Sequence, residues 1–486
     1  MRKDILNLFV LSLVLCFTLL AGECFSQWQT DMRLTNDSLS ADLSENNSKC
    51  IASSGNFVHV VFVSIRDGNT EIYYKRSLDG GINWENDIRL TNNPAVSRYP
   101  SIAVNGSDIH VVWHDERFNR EIYYKHSSDN GNTWGSDTRL TNNIAGSWYP
   151  SISVSGQLVG VVWQDERDSM ANNIFYKCST NGGAVWGSDI QLTNLPTNCT
   201  YPSVSISGLN VNVAGRDLRS GVQKIYYRRS TNGGVNWQGE LLLTEDNYSS
   251  YVPSISSFGQ NIHVTWSEFI NYIEYIYYKR STDGGINWLN GVTLTNNLFN
   301  SRYSNIYASG SNVHIIINDD SAYRKTLYYL RSTNNGASWS TFTTASYTSA
   351  YIKYSPSIVA AGQIVHIVWM DSRHGYPEIY YNRNPTANVG IQNISSEIPL
   401  QYSLFQNYPN PFNPSTTIKF GIPKSSLVRI TVYDILGKEV KKLVNQNLQA
   451  GTYQTIWNGD GVSGGVYFYR IQSNDFVQTK RMVLIK

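Results

Sequence analysis

The chain has 486 residues and a formal net charge of only +2, so its charge gives no indication of a nucleic-acid or other polyanionic partner. Charged residues make up 16% of the sequence and aromatic residues 13%, with 36 glycines. This composition excludes a disordered chain and favours a folded all-β protein with many turns, long enough for roughly two to four domains.

The N-terminal segment has the features of a targeting sequence. Met1-Arg-Lys is a short basic start, an apolar run extends from Ile5 to Gly22, and small residues suited to cleavage follow at Cys24-Phe-Ser26. We expect a signal peptide over residues 1–26 and a mature chain that begins near Gln27. A membrane anchor is the alternative, although the apolar run is short for a helix that spans a bilayer.

Three cysteines follow the predicted signal peptide, at Cys50, Cys178 and Cys199. An odd number leaves at least one thiol unpaired or intermolecular. A bridge between Cys178 and Cys199, which fall within one sequence repeat, is left open. Three cysteines in a chain of this length are too few for a disulfide scaffold, so the fold must depend on its hydrophobic core.

A unit of four short strands repeats about every 51 residues. In the second unit the strands are predicted at Tyr99–Val104, Ile109–Trp113, Glu121–Lys125 and Asp137–Thr141, each rich in β-forming residues and bounded by turn residues. Four strands in roughly 50 residues are typical of one blade of a β-propeller.

The third strand of the unit carries an Ile-Tyr-Tyr-like motif, which allows the units to be counted. It occurs seven times, starting at Ile72, Ile122, Ile174, Ile225, Ile276, Leu327 and Ile379. The seventh unit stops at Asn384, before its fourth strand, whereas Trp28–Asn36 resembles the fourth-strand segment Trp84–Asn92. We therefore predict a seven-bladed β-propeller over residues 27–384, closed by its N-terminal segment, with six blades as the runner-up. Closure protects sheet edges from aggregation.

An eight-residue signature lies between the third and fourth strands of six units. It occurs at Ser77–Trp84, Ser127–Trp134, Ser179–Trp186, Ser230–Trp237, Ser281–Trp288 and Ser332–Trp339. Its Asp or Asn fixes a tight turn through backbone amides, its Gly permits a positive φ, and its Trp buries an aromatic ring between neighbouring strands. We assign a structural role to its acidic or amide residues, which are Asp79, Asp129, Asn181, Asn232, Asp283 and Asn334.

The signature resembles the Asp-box, or BNR repeat, of sialidase-like β-propellers, and the resemblance covers about Gln27 to Asn384. It implies the fold strongly and the function weakly, because such propellers include sialidases, other glycan-active enzymes and proteins without catalysis. In that family the boxes lie on the face opposite the active site.

The loops after the second strands carry repeated Asp-x-Arg pairs, three of which follow a tryptophan. The candidate ligand-binding residues are Asp115, Arg117, Asp165, Arg167, Asp217, Arg219, Asp371, Arg373, Trp113, Trp163 and Trp369. Arg98 and Arg302 precede the first strands of their units. A ring of guanidinium, carboxylate and aromatic groups could bind a glycan, since Arg grips carboxylates with two hydrogen bonds. The repetition favours the other interpretation, in which these pairs brace the blades.

Catalysis has less support in the sequence. The resemblance to sialidases implies three arginines, an Asp acid/base, a Tyr–Glu nucleophile pair and an Arg-Ile-Pro motif. Nothing like Arg-Ile-Pro precedes Ser77, and Arg98-Tyr-Pro100 echoes the scaffold positions Tyr149-Pro150 and Tyr201-Pro202. No Arg stands out from the repeat. We find no metal-ligand cluster, phosphate loop or nucleophile elbow, so we expect no metal and no cofactor.

The C-terminal part changes character after a polar segment, which we interpret as a linker over residues 385–402. About seven short predicted strands over residues 403–486 indicate a small Ig-like β-sandwich. Asn407–Pro414, Asp434–Lys438 and Gly465–Arg470 resemble the type A C-terminal sorting domain of type IX secretion substrates. An ordinary adhesive Ig-like module is the alternative.

These features together predict a secreted or cell-surface monomer that is exported by the type IX machinery. We expect it to bind a glycan or protein ligand rather than to act as an enzyme. A sialidase-type glycoside hydrolase and a structural surface component without a ligand are the alternatives.

Overall fold

The computed structural model describes residues 28–37, 39–44, 49–167, 171–295, 300–320, 325–348, 353–362, 364–385, 392–395, 399–448, 450–459 and 462–485. The predicted signal peptide lies outside these residues. The prediction of an all-β protein is confirmed, because the described part contains 37 strands and no helix. It therefore also contains no helix that is long and apolar enough to cross a membrane.

Strands β1–β29 form seven antiparallel sheets between Met32 and Asn384. In chain order they are β1 Met32–Arg33, β2 Ala41–Asp42, β3 Ile51–Ser54, β4 Phe57–Ser64, β5 Glu71–Ser77, β6 Ile88–Arg89, β7 Ser97–Asn105, β8 Asp108–Asp115, β9 Glu121–Ser127, β10 Thr138–Arg139, β11 Ser147–Ser155, β12 Leu158–Asp165, β13 Asn173–Ser179, β14 Ile190–Gln191, β15 Cys199–Ser207, β16 Asn210–Asp217, β17 Lys224–Ser230, β18 Leu241–Leu242, β19 Ser249–Phe258, β20 Asn261–Ile270, β21 Ile273–Ser281, β22 Val292–Thr293, β23 Ser301–Ser309, β24 Asn312–Asp319, β25 Lys325–Ser332, β26 Thr343–Thr348, β27 Lys353–Ala361, β28 Ile364–Asp371 and β29 Glu378–Asn384.

The sheets are arranged in a ring, as in a β-propeller. Each is a meander of consecutive strands, for example β7-β8-β9-β10, and the first sheet also contains β2. Their first strands, β3, β7, β11, β15, β19, β23 and β27, contact one another in this order, and β27 contacts β3. The second strands are buried on both faces because each sheet lies between two neighbours; β12, for example, is buried at every position.

The N-terminal segment completes the last sheet. β1 pairs with β29, so that Met32 faces Tyr381 and Arg33 faces Tyr380. The backbone N–H of Leu34 also donates to the carbonyl oxygen of Ile379 at 2.8 Å. The closure predicted between the two ends of the repeat region is therefore present.

The signature loops form the predicted tight turns and also join neighbouring sheets. In the first loop the backbone N–H of Gly81 donates to Ser77 Oγ at 2.8 Å, and that of Asn83 donates to Asp79 Oδ1 at 2.9 Å. The tryptophan was predicted to bury its ring between neighbouring strands, and in the structure the ring packs edge-on against a tyrosine of the preceding sheet. The pairs are Trp84–Tyr381, Trp134–Tyr74, Trp186–Tyr124, Trp237–Tyr176, Trp288–Tyr227 and Trp339–Tyr278.

All three cysteines of the described chain are free. The bridge considered between Cys178 and Cys199 is not formed, because the two residues occupy opposite ends of their strands. Cys178 pairs with Gly160 near the start of β12, whereas Cys199 pairs with Asp217 at the end of β16.

The C-terminal strands form two further four-stranded sheets, in the orders β30-β35-β32-β31 and β34-β33-β36-β37. They are β30 Gln392–Ser395, β31 Ser403–Leu404, β32 Ser415–Ile422, β33 Ser426–Tyr433, β34 Glu439–Leu448, β35 Gly451–Asn458, β36 Gly465–Ser473 and β37 Phe476–Leu484. Residues from both sheets, such as Phe420, Trp457, Ile430 and Tyr469, form one buried apolar cluster, as in a β-sandwich. β30 lies within the predicted linker and pairs with β35.

Candidate functional site

The meander places two kinds of segment on one face of the ring. The loops between second and third strands lie on the same face as the starts of the first strands, because consecutive strands are antiparallel. The signature loops, between third and fourth strands, lie on the opposite face. We call the first of these the upper face. It contains the predicted Asp-x-Arg pairs and Arg302.

The Asp-x-Arg pair of the second sheet is held within its own sheet. Asp115 is fully buried and accepts hydrogen bonds from Trp113 Nε1 at 3.0 Å and from Arg117 Nη2 at 2.7 Å. The same Arg117 nitrogen lies 2.8 Å from Asp137 Oδ2, and the guanidinium lies over the ring of Tyr123 at 4.2 Å. Burial alone would raise the pKa of Asp115, but these hydrogen bonds hold it below its usual value.

The same arrangement recurs in three other sheets. Asp165, Asp217 and Asp371 pair with Arg167, Arg219 and Arg373, which also contact Asp189, Glu240 and Asp31. The arginine side chains are only 19–28% exposed. Trp113, Trp163 and Trp369 are fully buried, so their rings are not accessible to a ligand. This geometry is that of a brace, and the ligand-binding role of these residues stays a prediction.

The starts of several first strands carry a strained bulge that directs tyrosines to the upper face. Tyr99, Tyr149 and Tyr201 have φ values of 55°, 49° and 53°, and the strand register shifts beside each of them. Such a conformation costs on the order of 1–3 kcal/mol, and bulges re-aim side chains. The centroids of the three rings are 4.5 and 5.2 Å apart in succession, which gives a ladder of aromatic rings along the inner rim.

One arginine on this face lacks an acidic partner. Arg216, at the end of β16, donates from Nε to Thr200 Oγ1 at 3.0 Å. Its guanidinium lies over the rings of Tyr201 at 4.5 Å and Tyr251 at 5.8 Å. Burial lowers the pKa of Arg216, and none of the described groups that act on its charge is a carboxylate. Arg216 is therefore a half-buried cation with aromatic neighbours and no counter-charge among the described residues.

Arg216 lies in a cavity of about 370 Å³ on the upper face, which we call the Arg216 cavity. It is lined by Tyr201, Arg216, Tyr251, Val252, Ser267, Phe269, Glu274, Arg302 and Tyr303. The volume is within the range of small-molecule sites, roughly 300–1,000 Å³. The combination of aromatic surface, hydroxyl groups and two cations suits a polar ring compound that carries an acidic group.

Glu274 is the acidic group of the Arg216 cavity. Its Oε2 is buried without a hydrogen bond among the described residues, although Arg302 Nε lies 3.4 Å away. Burial raises the pKa of Glu274, and Arg302 opposes that effect. A carboxyl group in this setting retains a proton more readily than one in water, so it can donate a hydrogen bond or a proton to a bound molecule.

Sequence reasoning missed Arg216 because the chain carries so many arginines. We expected none to stand out, whereas Arg216 occupies a position that no other sheet fills with Arg. The equivalent residues, each immediately before Asp115 or its counterpart in the other sheets, are Val63, His114, Gln164, Arg216, Ser267, Asn318 and Met370. A comparison of the residues at this position in the seven repeats would have identified Arg216 from the sequence. Of the two arginines noted before the first strands, Arg302 lines the cavity and Arg98 does not.

Residues 406–486 match the family model of the secretion system C-terminal sorting domain. No curated protein matches the chain. Among solved structures, polysaccharide lyase Uly1 is similar over 73% of this chain and 99% of its own, with a TM-score of 0.51 and 10% identity. The Hadza microbial sialidase Hz136 covers 57% of this chain and 63% of its own, with a TM-score of 0.40 and 14% identity.

A Trypanosoma rangeli sialidase is similar over 93% of this chain and 88% of its own, with a TM-score of 0.42 and 10% identity. At 10% identity, the similarity to polysaccharide lyase Uly1 supports the fold alone. The location of the protein is indicated by the sorting domain. The chain is therefore a secreted or outer-surface protein that combines a β-propeller with a C-terminal type IX sorting domain.

Proposed function

We propose that this protein binds acidic carbohydrate outside the cell through the Arg216 cavity. The observation that carries the proposal is the half-buried guanidinium of Arg216, which has no carboxylate partner among the described residues. Burying a charge without a partner is unfavourable, so a carboxylate or sulfate group of a ligand would supply the missing interaction.

The rest of the cavity fits a sugar ring. Phe269 and the tyrosines supply flat apolar surface, and their neighbours supply hydroxyl groups. Aromatic rings with a few polar groups are typical of small-molecule sites that fix orientation as well as affinity. Secreted and outer-surface proteins meet polysaccharides, and a polysaccharide lyase has the same fold.

Glycan cleavage is a second candidate, and Glu274 is the observation that favours it. Burial raises the pKa of this carboxyl group, which lies beside Arg302 in a cavity that several tyrosines also line. General acids are often carboxyl groups of raised pKa, and sialidases use a tyrosine nucleophile in place of a second carboxylate. This candidate differs from the first in requiring turnover.

The binding proposal is tested with an array of neutral, carboxylated and sulfated glycans. We expect the mature chain to bind acidic glycans and the Arg216→Met variant to lose this binding at least tenfold, since a charge-assisted hydrogen bond contributes about 1.5–3 kcal/mol. Arg429→Met is the matched control, because Arg429 is an exposed arginine of the C-terminal domain. Equal binding by the Arg216→Met variant and the parent would refute the proposal.

The cleavage candidate is tested on the glycans that bind. Reducing ends or unsaturated products are measured after incubation with the parent chain and with Glu274→Gln. Turnover by the parent that Glu274→Gln loses, with binding retained, would establish an enzyme. Binding without any product would leave the protein as a lectin-like binder.

A further inference from the structure

A second cavity lies inside the ring of first strands and shares no lining residue with the Arg216 cavity. Its volume is about 260 Å³. It is lined by apolar and serine side chains of the first strands, including Tyr307 of β23, together with Lys49, which precedes β3. None of the lining residues is acidic, and Lys49 is the only basic one.

Lys49 occupies this channel without a polar partner among the described residues. Its closest aromatic neighbour is Tyr307, whose ring centroid lies 5.8 Å from Lys49 Nζ. Burial lowers the pKa of Lys49 to about 8, and no carboxylate acts against that effect. The ammonium group therefore remains largely charged at neutral pH, although no described residue supplies a counter-charge.

Serine hydroxyls of the surrounding strands line the same cavity. Ser53 Oγ has no hydrogen-bond partner among the described residues. Ser153 Oγ accepts from the backbone N–H of Ile206 at 3.0 Å, and Ser256 Oγ accepts from that of Ala308 at 2.9 Å. A hydroxyl that accepts one hydrogen bond still has its own hydrogen to donate, so Ser153 and Ser256 are available donors, whereas Ser53 Oγ is buried away from the cavity surface.

We propose that the central channel binds a small oxyanion of the phosphate or sulfate class, held by the ammonium group of Lys49 and by serine hydroxyls of the first strands. An ammonium group and several O–H donors around a closed volume are complementary to an oxygen-rich anion. The volume exceeds the roughly 30 Å³ that one water molecule occupies in the liquid, so an oxyanion fits together with hydration water.

The site would join strands from different sheets through one ligand. Ser153 and Ser256 belong to β11 and β19, which are not neighbours in the ring. A ligand that binds only the folded state stabilises it by mass action. Occupancy of the channel would therefore favour the closed ring over any opened form.

The test is calorimetric titration of the mature chain with sulfate and with inorganic phosphate, at an ionic strength held constant with chloride. We expect saturable binding by the parent and an affinity at least tenfold lower for Lys49→Met. Lys441→Met, at an exposed lysine, and Arg216→Met, in the other cavity, should bind as the parent does. The Arg216 control separates this proposal from glycan binding.

Two further measurements keep the proposal testable if Lys49→Met does not fold. Ser153→Ala and Ser256→Ala each remove one proposed donor and leave Lys49 in place, so each should bind sulfate several-fold more weakly. Sulfate affinity of the parent should also fall as the pH rises from 7 to 9, as Lys49 loses its proton.

Sulfate and phosphate stabilise many proteins by exclusion from the surface, so a rise in melting temperature alone does not support the site. Sulfate binding that is no stronger than that of chloride, or that Ser153→Ala, Ser256→Ala and Lys49→Met all leave unchanged, would overturn the proposal.

Discussion

The indole ring of Trp28 packs edge-on against the phenol ring of Tyr329, with 5.2 Å between the ring centroids and an interplanar angle of 79°. The six signature tryptophans make the same contact with a tyrosine of the preceding sheet, for example Trp84 with Tyr381 at 4.8 Å and 72°. Trp28 belongs to the N-terminal segment, so its contact is the seventh of the series. The ring is thus closed by side-chain packing as well as by strand pairing.

Replacing Trp28 should weaken this closure. Trp28 is 9% exposed, and truncation of a buried aromatic residue to alanine typically costs about 3–5 kcal/mol. We expect Trp28→Ala to lower the free energy of unfolding of the propeller by this amount, and Trp28→Phe to lower it much less, as measured by urea denaturation. A loss below roughly 0.5 kcal/mol, the size of an ordinary surface effect, would show that the contact does not contribute to closure.

The glycines of the signature loops are required by the tyrosines of neighbouring sheets. A Cβ atom on Gly131 would lie 2.0 Å from Tyr74 Oη, and the φ of this residue is 79°. Gly106 has a φ of 64°, but a Cβ atom there would meet nothing within 4 Å. A side chain would therefore strain the backbone at both positions, but it would collide with a neighbouring residue only at Gly131.

Gly131→Ala should destabilise the protein more than Gly106→Ala does. Strain in the left-handed region costs roughly 1–2 kcal/mol at either position, and overpacking adds about 1–3 kcal/mol at Gly131 alone. The added Cβ atom would also lie 2.5 Å from Tyr74 Cζ, so the whole ring collides. Tyr74→Ala removes that ring, and a double-mutant cycle with Gly131→Ala should show a favourable coupling energy in urea denaturation. Equal losses at the two glycines, with no coupling to Tyr74, would contradict the proposed collision.

The repeat made most of the fold predictable, since the same environment is specified once in every sheet. The Ile-Tyr-Tyr strand and the signature glycine recur because each tyrosine, such as Tyr74, needs the space above a glycine such as Gly131. The partner of the signature tryptophan was not predictable, because a repeat gives the period of a contact but not which sheet supplies the other side.

The Arg216 cavity was harder to predict for the same reason. The sequence pattern of an Asp-x-Arg pair is the same whether the pair braces a sheet, as Asp115 and Arg117 do, or contacts a ligand. The Tyr-Pro positions had been interpreted as scaffold, yet the positive φ of Tyr201 places its ring beside Arg216. The proposed binding residue Arg216 lies where one sheet departs from the others, and a search for shared residues does not find it.

Arg117 and Arg216 should therefore give opposite phenotypes. Arg117 pairs with a fully buried Asp115, and removal of one partner of a buried ion pair typically costs about 3–5 kcal/mol. We expect Arg117→Met to lower the free energy of unfolding substantially while acidic-glycan affinity of the folded protein persists. Arg216→Met should lose glycan affinity with little loss of stability, since no ion pair is broken. If Arg117→Met instead lost glycan affinity and Arg216→Met instead lost stability, Arg117 would be the binding residue and Arg216 the structural one.

Glu268 predicts a specific dependence of stability on pH. It occupies the position of Asp115 in the fifth sheet, but Ile270 replaces the arginine two residues later. Its Oε2 accepts a hydrogen bond from Trp266 Nε1 at 2.9 Å. Burial has the largest effect on the pKa of Glu268 and raises it. The hydrogen bond from Trp266 opposes burial, and the charge of nearby Asp246 adds to it, so that the pKa rises from 4.5 to about 7.

Because the folded state holds this proton more tightly than the unfolded chain does, the contribution of Glu268 to stability is complete below about pH 4.5 and is lost as the pH rises to about 7. Glu268→Gln keeps an acceptor for Trp266 and does not titrate, so the difference in unfolding free energy between variant and parent should grow in favour of the variant over this range. Urea denaturation from pH 4.5 to 8 measures the difference, with Glu439→Gln at an exposed position as the control. A difference that stays constant over this range would mean that Glu268 does not titrate differently in the folded and unfolded states.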